Sequence, residues 1–359
     1  MGNSRNHQLD GWRAIAVLGV MWLHWAPPAW RGGIPFEIGL YFFLTLTGFL
    51  ITRILLRDRD RGESTGGPWG IEAFRAFQFR RALRILVPCY AAMCFGLLVG
   101  AQDIRENPWV YFAHLSNFHI ALLQEWPHGT SHYWTLAIQQ QFYLFWPVLI
   151  YLVPRGCLLG TLLVLVSLAP ASRAVLAVAF PQVFHPGAIT TCAFDYLGCG
   201  ALLAWSMHRG ELAGGGGWLR VAAWLCLPVY GLLYTLDWVG RPVPVLGHFQ
   251  QTFLSVSMVG LIASTLQGFP DWRGRVLESS MLQHVAKISY SLYLFHCLVP
   301  MALGWVLPGL WAVGGGLGEG LRLGVFFAAS WGVAWLSWWF LERPLERMRA
   351  RKAVEVEEG

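Results

Sequence analysis

The chain has 359 residues, 55% of them hydrophobic and only 13% charged, with a net charge of +6 and a mean hydropathy of +0.47. A soluble domain carries about 25% charged residues and cannot bury this much apolar surface in one core. Composition therefore argues against a large soluble enzyme and for an all-α, polytopic membrane protein.

Ten apolar stretches follow one another along the chain. Residues 12–30, 35–56, 83–101, 133–153, 157–179, 188–207, 218–236, 247–267, 286–306 and 320–341 are expected to span the membrane, and 108–123 to form a short or interfacial helix. Pro170 and Arg173 interrupt the fifth. With the N-terminus inside, only Arg31, Arg105, Arg173, Arg241 and Arg322 fall outside, and the other 21 of the 26 Lys and Arg residues fall inside. That asymmetry predicts that both termini are cytoplasmic. The net positive charge then follows from topology among membrane lipids, and no nucleic-acid partner is implied. No cleavable signal peptide is expected, since Asp10 and Arg13 flank the first apolar run. Gly214–Gly217 reads as a short flexible run. The seven cysteines form no Cys-x-x-Cys pair and read as small packing residues, not as disulfides or metal ligands.

Polar residues at membrane depth are costly unless paired, so each is a functional candidate. Arg13 and His24 stand eleven residues apart in the first span. At ~100° and ~1.5 Å per residue, they share one helix face about 16 Å apart. Taken singly, Arg13 also fits a side chain snorkelling to lipid phosphates, and His24 a structural imidazole. In FRAFQFRRALRI (residues 74–85), Arg81 and Arg84 lie one α-helical turn apart, and such a pair suits phosphate oxygens or anionic lipid. His128 and His132 are four apart in a loop broken by Gly129, and no metal site is expected there. Gln139–Gln141 in SHYWTLAIQQQFYLFWP must turn at least one amide inward, where it can bond helices together but cannot shuttle a proton. Asp195 reads as an ion-pair partner before a catalytic group, and His296 as a structural imidazole. Trp109, Tyr111, Phe112, Phe118 and Trp126 suit either a sugar or an interfacial belt. Walker loops, paired catalytic carboxylates and a Gly-x-Ser-x-Gly elbow are absent from the sequence.

Together these stretches resemble the membrane-bound acyltransferase-3 family. LDGWRAIAVLGVMWLH, with Asp10, Arg13 and His24, is similar to its Arg-x10-His opening. GFLITR (ending at Arg53), FRRALRI (Arg81, Arg84), HYWTLAIQQQFYLFWP (Trp134, Gln139, Tyr143), FDYLGCGALLA (Asp195), ISYSLYLFH (His296) and ERPLERM (from Glu342) follow in the family's order over residues 9–348. The resemblance implies one integral-membrane domain, 1–348, with a short charged cytoplasmic tail, 349–359. It also implies ten helices in a bacterial inner membrane, without the soluble esterase-like domain of some relatives. The activity it implies is transfer of an acyl group, usually acetyl, from cytoplasmic acyl-CoA to a hydroxyl of a carbohydrate such as a surface polysaccharide or a glycosylated metabolite, with no metal. Arg81 and Arg84, helped by Arg53, would hold the CoA phosphates. His24 would be the general base or the site of transient acylation, and Arg13 would steer the donor or stabilise charge. The chain departs from the family at Gln139, where relatives carry glutamate, at Gln140, and at Thr135 in place of serine. Gln139 either suffices as a hydrogen-bonding group, or is replaced by another carboxylate such as Asp195, or marks a degenerate member. A transporter of a lipid-linked sugar or acyl group is the alternative from another class.

Overall fold

The computed structural model describes residues 6–65, 70–211 and 217–348. The tail 349–359, and the glycine run except its last residue, lie outside the described residues. Every regular element among the described residues is helical. The long ones are α1 (His7–Trp25), α2 (Ile38–Thr65), α3 (Ile71–Leu98), α4 (Tyr133–Leu152), α5 (Arg155–Ala179), α6 (Phe194–His208), α7 (Gly217–Trp238), α8 (Gln250–Gln267), α9 (Ser280–Phe295), α10 (Leu298–Val306) and α11 (Gly315–Met348). Each stretch expected to span carries a helix. By length and apolarity, five helices among the described residues are candidates to cross a membrane, or six if the bent pair α9–α10 counts as one.

Several boundaries differ from expectation. α1 ends at Trp25, and Pro28–Arg31 is a separate turn, because Pro27 and Pro28 cannot continue the amide ladder. α5 runs unbroken through Pro170 and Arg173. Residues 108–123 hold two short helices, Pro108–Phe112 and Ser116–Leu122.

α2 is central, with 61% of its apolar window buried, whereas α5, α7 and α11 lie at the rim with 22%, 17% and 28% buried. α6 packs on α2 and on α5, α7 on α8, and α1 on α9. The α2–α6 crossing is built on glycines. A Cβ on Gly48 would collide with the Leu197 backbone, and one on Gly200 with the Thr45 carbonyl. Small residues of this kind let membrane helices approach backbone to backbone.

α3 and α11 each contain a π-helical segment, Ala82–Leu86 and Trp338–Glu342. Each ends two residues before a proline, Pro88 and Pro344. A proline has no N–H for the carbonyl four residues back, and a widened turn is one way for a helix to absorb that loss. α9 and α10 meet at a bend of 68°.

Ion pairs tie one end of the bundle together. Arg155 reaches Asp60 at 2.6 Å and Glu63 at 2.8 Å, and His208 reaches Asp60 at 3.3 Å. Arg59 donates to the Ile150 and Val153 carbonyls, satisfying two acceptors at the end of α4. Near the opposite end, buried Arg173 pairs with buried Asp195 at 2.7 Å and also donates to the Cys192 and His248 carbonyls. There too, His119 meets Asp103 at 3.0 Å.

Candidate active site

α1 and α9 lie side by side and run in the same direction. Near their starts, Arg13 Nη2 donates to Ser289 Oγ at 3.1 Å, and Arg13 Nη1 meets Asp10 at 2.8 Å. Near their ends, His24 Nδ1 is 3.1 Å from His296 Nε2. Arg13 and His24 therefore both face α9, as three turns of α-helix require.

The partners of the two imidazoles set their tautomers. His296 Nδ1 lies 2.7 Å from the Tyr293 carbonyl, which only accepts, so His296 carries its proton on Nδ1 and a lone pair on Nε2. His24 Nδ1 lies 2.9 Å from the Val20 carbonyl, so the His24 proton sits there, shared with His296 Nε2. His24 Nε2 is left with a lone pair, and no described residue hydrogen-bonds it. Around the pair, Trp25 donates its indole N–H to the His296 carbonyl at 2.9 Å. The Tyr293 hydroxyl donates to the His132 carbonyl at 3.0 Å and lies 2.5 Å from Thr135 Oγ1. Thr135 thus keeps and uses the hydroxyl expected of serine.

His132 belongs to this cluster, although its spacing from His128 gave no reason to single it out. Its ring is 4.8 Å from that of His296, and its Nε2 meets the Leu294 carbonyl at 3.2 Å. Its buried Nδ1 has no partner among the described residues. The sequence signal was its place one residue before the Trp-Thr-Gln helix. Cys297 is also here. His24, His296 and Cys297 present donor atoms that all lie within 4.8 Å of one another. Cys94 and Cys157, by contrast, are exposed, a correction to their reading as packing residues.

The arginine constellation differs from expectation. Arg81 closes its α-helical segment, but Arg84 falls within the π-helical one, so the two are not stacked on one regular α-turn. Arg81 lies over the Phe77 and Tyr143 rings at 5.5 and 5.7 Å, whereas Arg84 is exposed. Arg53 lies 5.9 Å from the Phe49 ring centroid. Among the described residues, no carboxylate forms an ion pair with Arg53 or Arg84. Glu342, quoted only within a motif, accepts the Ser291 hydroxyl at 2.5 Å and lies in electrostatic range of Arg84 and Arg13.

The three glutamines separate. Gln141 donates to the His114 carbonyl at 2.9 Å and to Asn117 at 2.8 Å, and it accepts from Thr190. Neither the buried Nε2 of Gln140 nor any atom of the Gln139 side chain hydrogen-bonds a described residue. Asp195 is committed to Arg173 and accepts from Thr252 at 2.9 Å, so it is placed as an ion-pair partner. Trp134 is buried 6.4 Å from the Trp126 ring.

A family model described as an acyltransferase domain matches residues 6–342. The chain is 24% identical over 372 residues to a peptidoglycan O-acetyltransferase of Listeria monocytogenes, covering 94% of this chain and 55% of that one. It is 28% identical over 328 residues to a putative peptidoglycan O-acetyltransferase of Bacillus subtilis, covering 80% and 47%. A putative O-acetyltransferase of Staphylococcus aureus is 32% identical over 158 residues, covering 40% and 24%. The chain spans about half the length of the first two relatives. No solved structure matches it.

Proposed function

Because the chain belongs to the acyltransferase-3 family, we propose that it is an O-acyltransferase moving an acetyl group from cytoplasmic acetyl-CoA to a hydroxyl of a cell-wall glycan of the peptidoglycan type. The names of its relatives in Listeria and Bacillus support that acceptor. The observation that carries the chemistry is the lone pair of His24 Nε2, left unengaged while Nδ1 is held by the Val20 carbonyl and His296. An imidazole so oriented is a base at neutral pH. Nε2 takes the proton of the acceptor hydroxyl as its oxygen attacks the thioester carbonyl. The C–S bond breaks, and the CoA sulfur leaves with the proton from His24. Arg53, Arg81 and Arg84 receive the CoA phosphates, and the absence of an ion pair at Arg53 and Arg84 among the described residues suits an anionic guest. Glu342 supplies, beside Arg13 and Arg84, the carboxylate that Gln139 lacks.

Ten spans with both termini inside accommodate this route. Two observations support the layout. α1 and α9 run parallel, as a first and a ninth span must. The contacts of Asp60, Glu63, Arg155 and His208 join residues that the charge asymmetry assigns to the cytoplasmic side.

The test is a proteoliposome assay with acetyl-CoA and soluble peptidoglycan fragments. Wild-type protein is expected to release free CoA only when acceptor is present and to place an acetyl ester on the glycan. Full activity in a folded His24→Ala protein sinks the base assignment. Acceptor movement without CoA release indicates a transporter.

A further inference from the structure

We propose that His24, His296 and Cys297 form a binding site for a thiophilic metal ion of the zinc class, and that the bound ion switches off the base. The second half rests on the reading of His24 Nε2 as the base, whereas the first does not.

The geometry is close to what such an ion requires. Zinc takes imidazole nitrogen at ~2.0–2.1 Å and thiolate at ~2.3 Å in a tetrahedron, which sets two nitrogens about 3.3 Å apart. His24 Nδ1 and His296 Nε2 are 3.1 Å apart, and Cys297 Sγ lies within 4.8 Å of a ring nitrogen of each histidine. The 68° bend between α9 and α10 explains the arrangement. His296 and Cys297 are sequence neighbours, which a straight helix would turn ~100° apart. The bend falls on these two residues, and both present donor atoms to His24. His296 already offers a lone pair on Nε2, because its proton is on Nδ1 against the Tyr293 carbonyl. His24 and Cys297 are half-buried and His296 is buried. Two nitrogens and one sulfur favour a borderline-soft ion over magnesium or calcium. Three protein ligands leave the fourth position open to water.

Occupancy changes the tautomer of His24. An ion on Nδ1 uses the lone pair there, so the imidazole proton moves to Nε2. The Cys297 thiol gives its proton to solvent as the S–metal bond forms, one proton per ion. With Nε2 protonated, His24 has no lone pair for the acceptor hydroxyl.

The experiment titrates the whole purified chain in nanodiscs with Co²⁺, a zinc surrogate with a visible spectrum. Expected are tetrahedral d–d bands and a near-ultraviolet sulfur-to-cobalt charge-transfer band, both bleached by Zn²⁺. Cys297→Ser removes the charge-transfer band, and His296→Ala weakens binding at least about tenfold. Absence of the charge-transfer band, or its survival in folded Cys297→Ser protein, overturns the site. In the transfer assay, Zn²⁺ inhibits reversibly, and Cys297→Ser raises the half-inhibitory concentration at least about tenfold. If Co²⁺ binds as described and saturating Zn²⁺ leaves transfer unchanged, the metal site stands and the assignment of Nε2 as base falls.

Discussion

The Nδ1 proton of His24 is spent on the Val20 carbonyl, and asparagine can imitate that half of the ring. Its amide nitrogen sits near Nδ1 and donates in the same direction, but nothing replaces Nε2. His24→Asn is therefore expected to melt with wild-type protein and to lose about 10²–10⁴-fold in turnover. Vesicle transfer rates alongside thermal melts separate the two effects. His114 makes a different prediction. It lies in the connection between α3 and α4 at a φ of +55°, and burial pushes its imidazole down to about 4. The folded chain holds it neutral while the unfolded chain binds a proton near pH 6.5. Its share of stability is therefore full above about pH 6.5, falls as pH drops from there toward 4, and changes no further below that. Asparagine tolerates the left-handed backbone, so His114→Asn is expected to flatten this acid limb, read as melting temperature against pH. At this scale the sequence was partly legible. The shared face of Arg13 and His24 followed from helical period alone. The role of His132 did not, since a residue four from another histidine in a loop shows nothing of the α9 carbonyl it will meet. Asp195 announced its need for a cation. That the cation is Arg173, 22 residues earlier on a helix expected to break there, depended on packing.

Among the elements, the α2–α6 crossing is the most sensitive to added volume. Gly48 and Gly200 each face backbone, which cannot rotate away as a side chain can. Gly200→Val is expected to destabilise the protein by about 1–3 kcal/mol or more through overpacking. Gly231→Ala on α7, where nothing lies within 4 Å of an added Cβ, should leave the stability unchanged within about 1 kcal/mol. Comparative melts of the two proteins check this. The π segments were not legible in the sequence: Pro88 and Pro344 each forbid one α-helical bond, but so do Pro147, Pro170 and Pro228, whose helices stay α-helical. Periodicity averaged over a long apolar run hides a one-residue widening, and with it the shift of Arg84 relative to Arg81.

For the whole molecule, the ten-span reading places Glu125 outside and Asp271 inside. In a cysteine-free background, Glu125→Cys is expected to react with an impermeant maleimide on intact cells, and Asp271→Cys only after lysis. Equal labelling of both on intact cells contradicts the layout. Helical content was plain from composition, since apolar runs of bilayer length leave few other choices. Which helices sit at the centre was not, because α2 and α7 are both apolar yet 61% and 17% buried.

The parallel pairing of α1 and α9 also works as a ruler. Eleven residues of rigid helix hold the Arg13 end about 16 Å from His24, so a thioester delivered from that end, as in the proposed reaction, would stop at one depth. Against His24 packs the ring of His296 at 4.8 Å and, around that ring, Trp25 at 6.4 Å, His132 at 4.8 Å and Tyr293 at 5.6 Å. On the proposed route, a two-carbon acyl group is expected to end before these rings and an eight-carbon chain to meet them. Competition between acetyl-CoA and octanoyl-CoA in the vesicle assay is expected to favour acetyl by at least about tenfold.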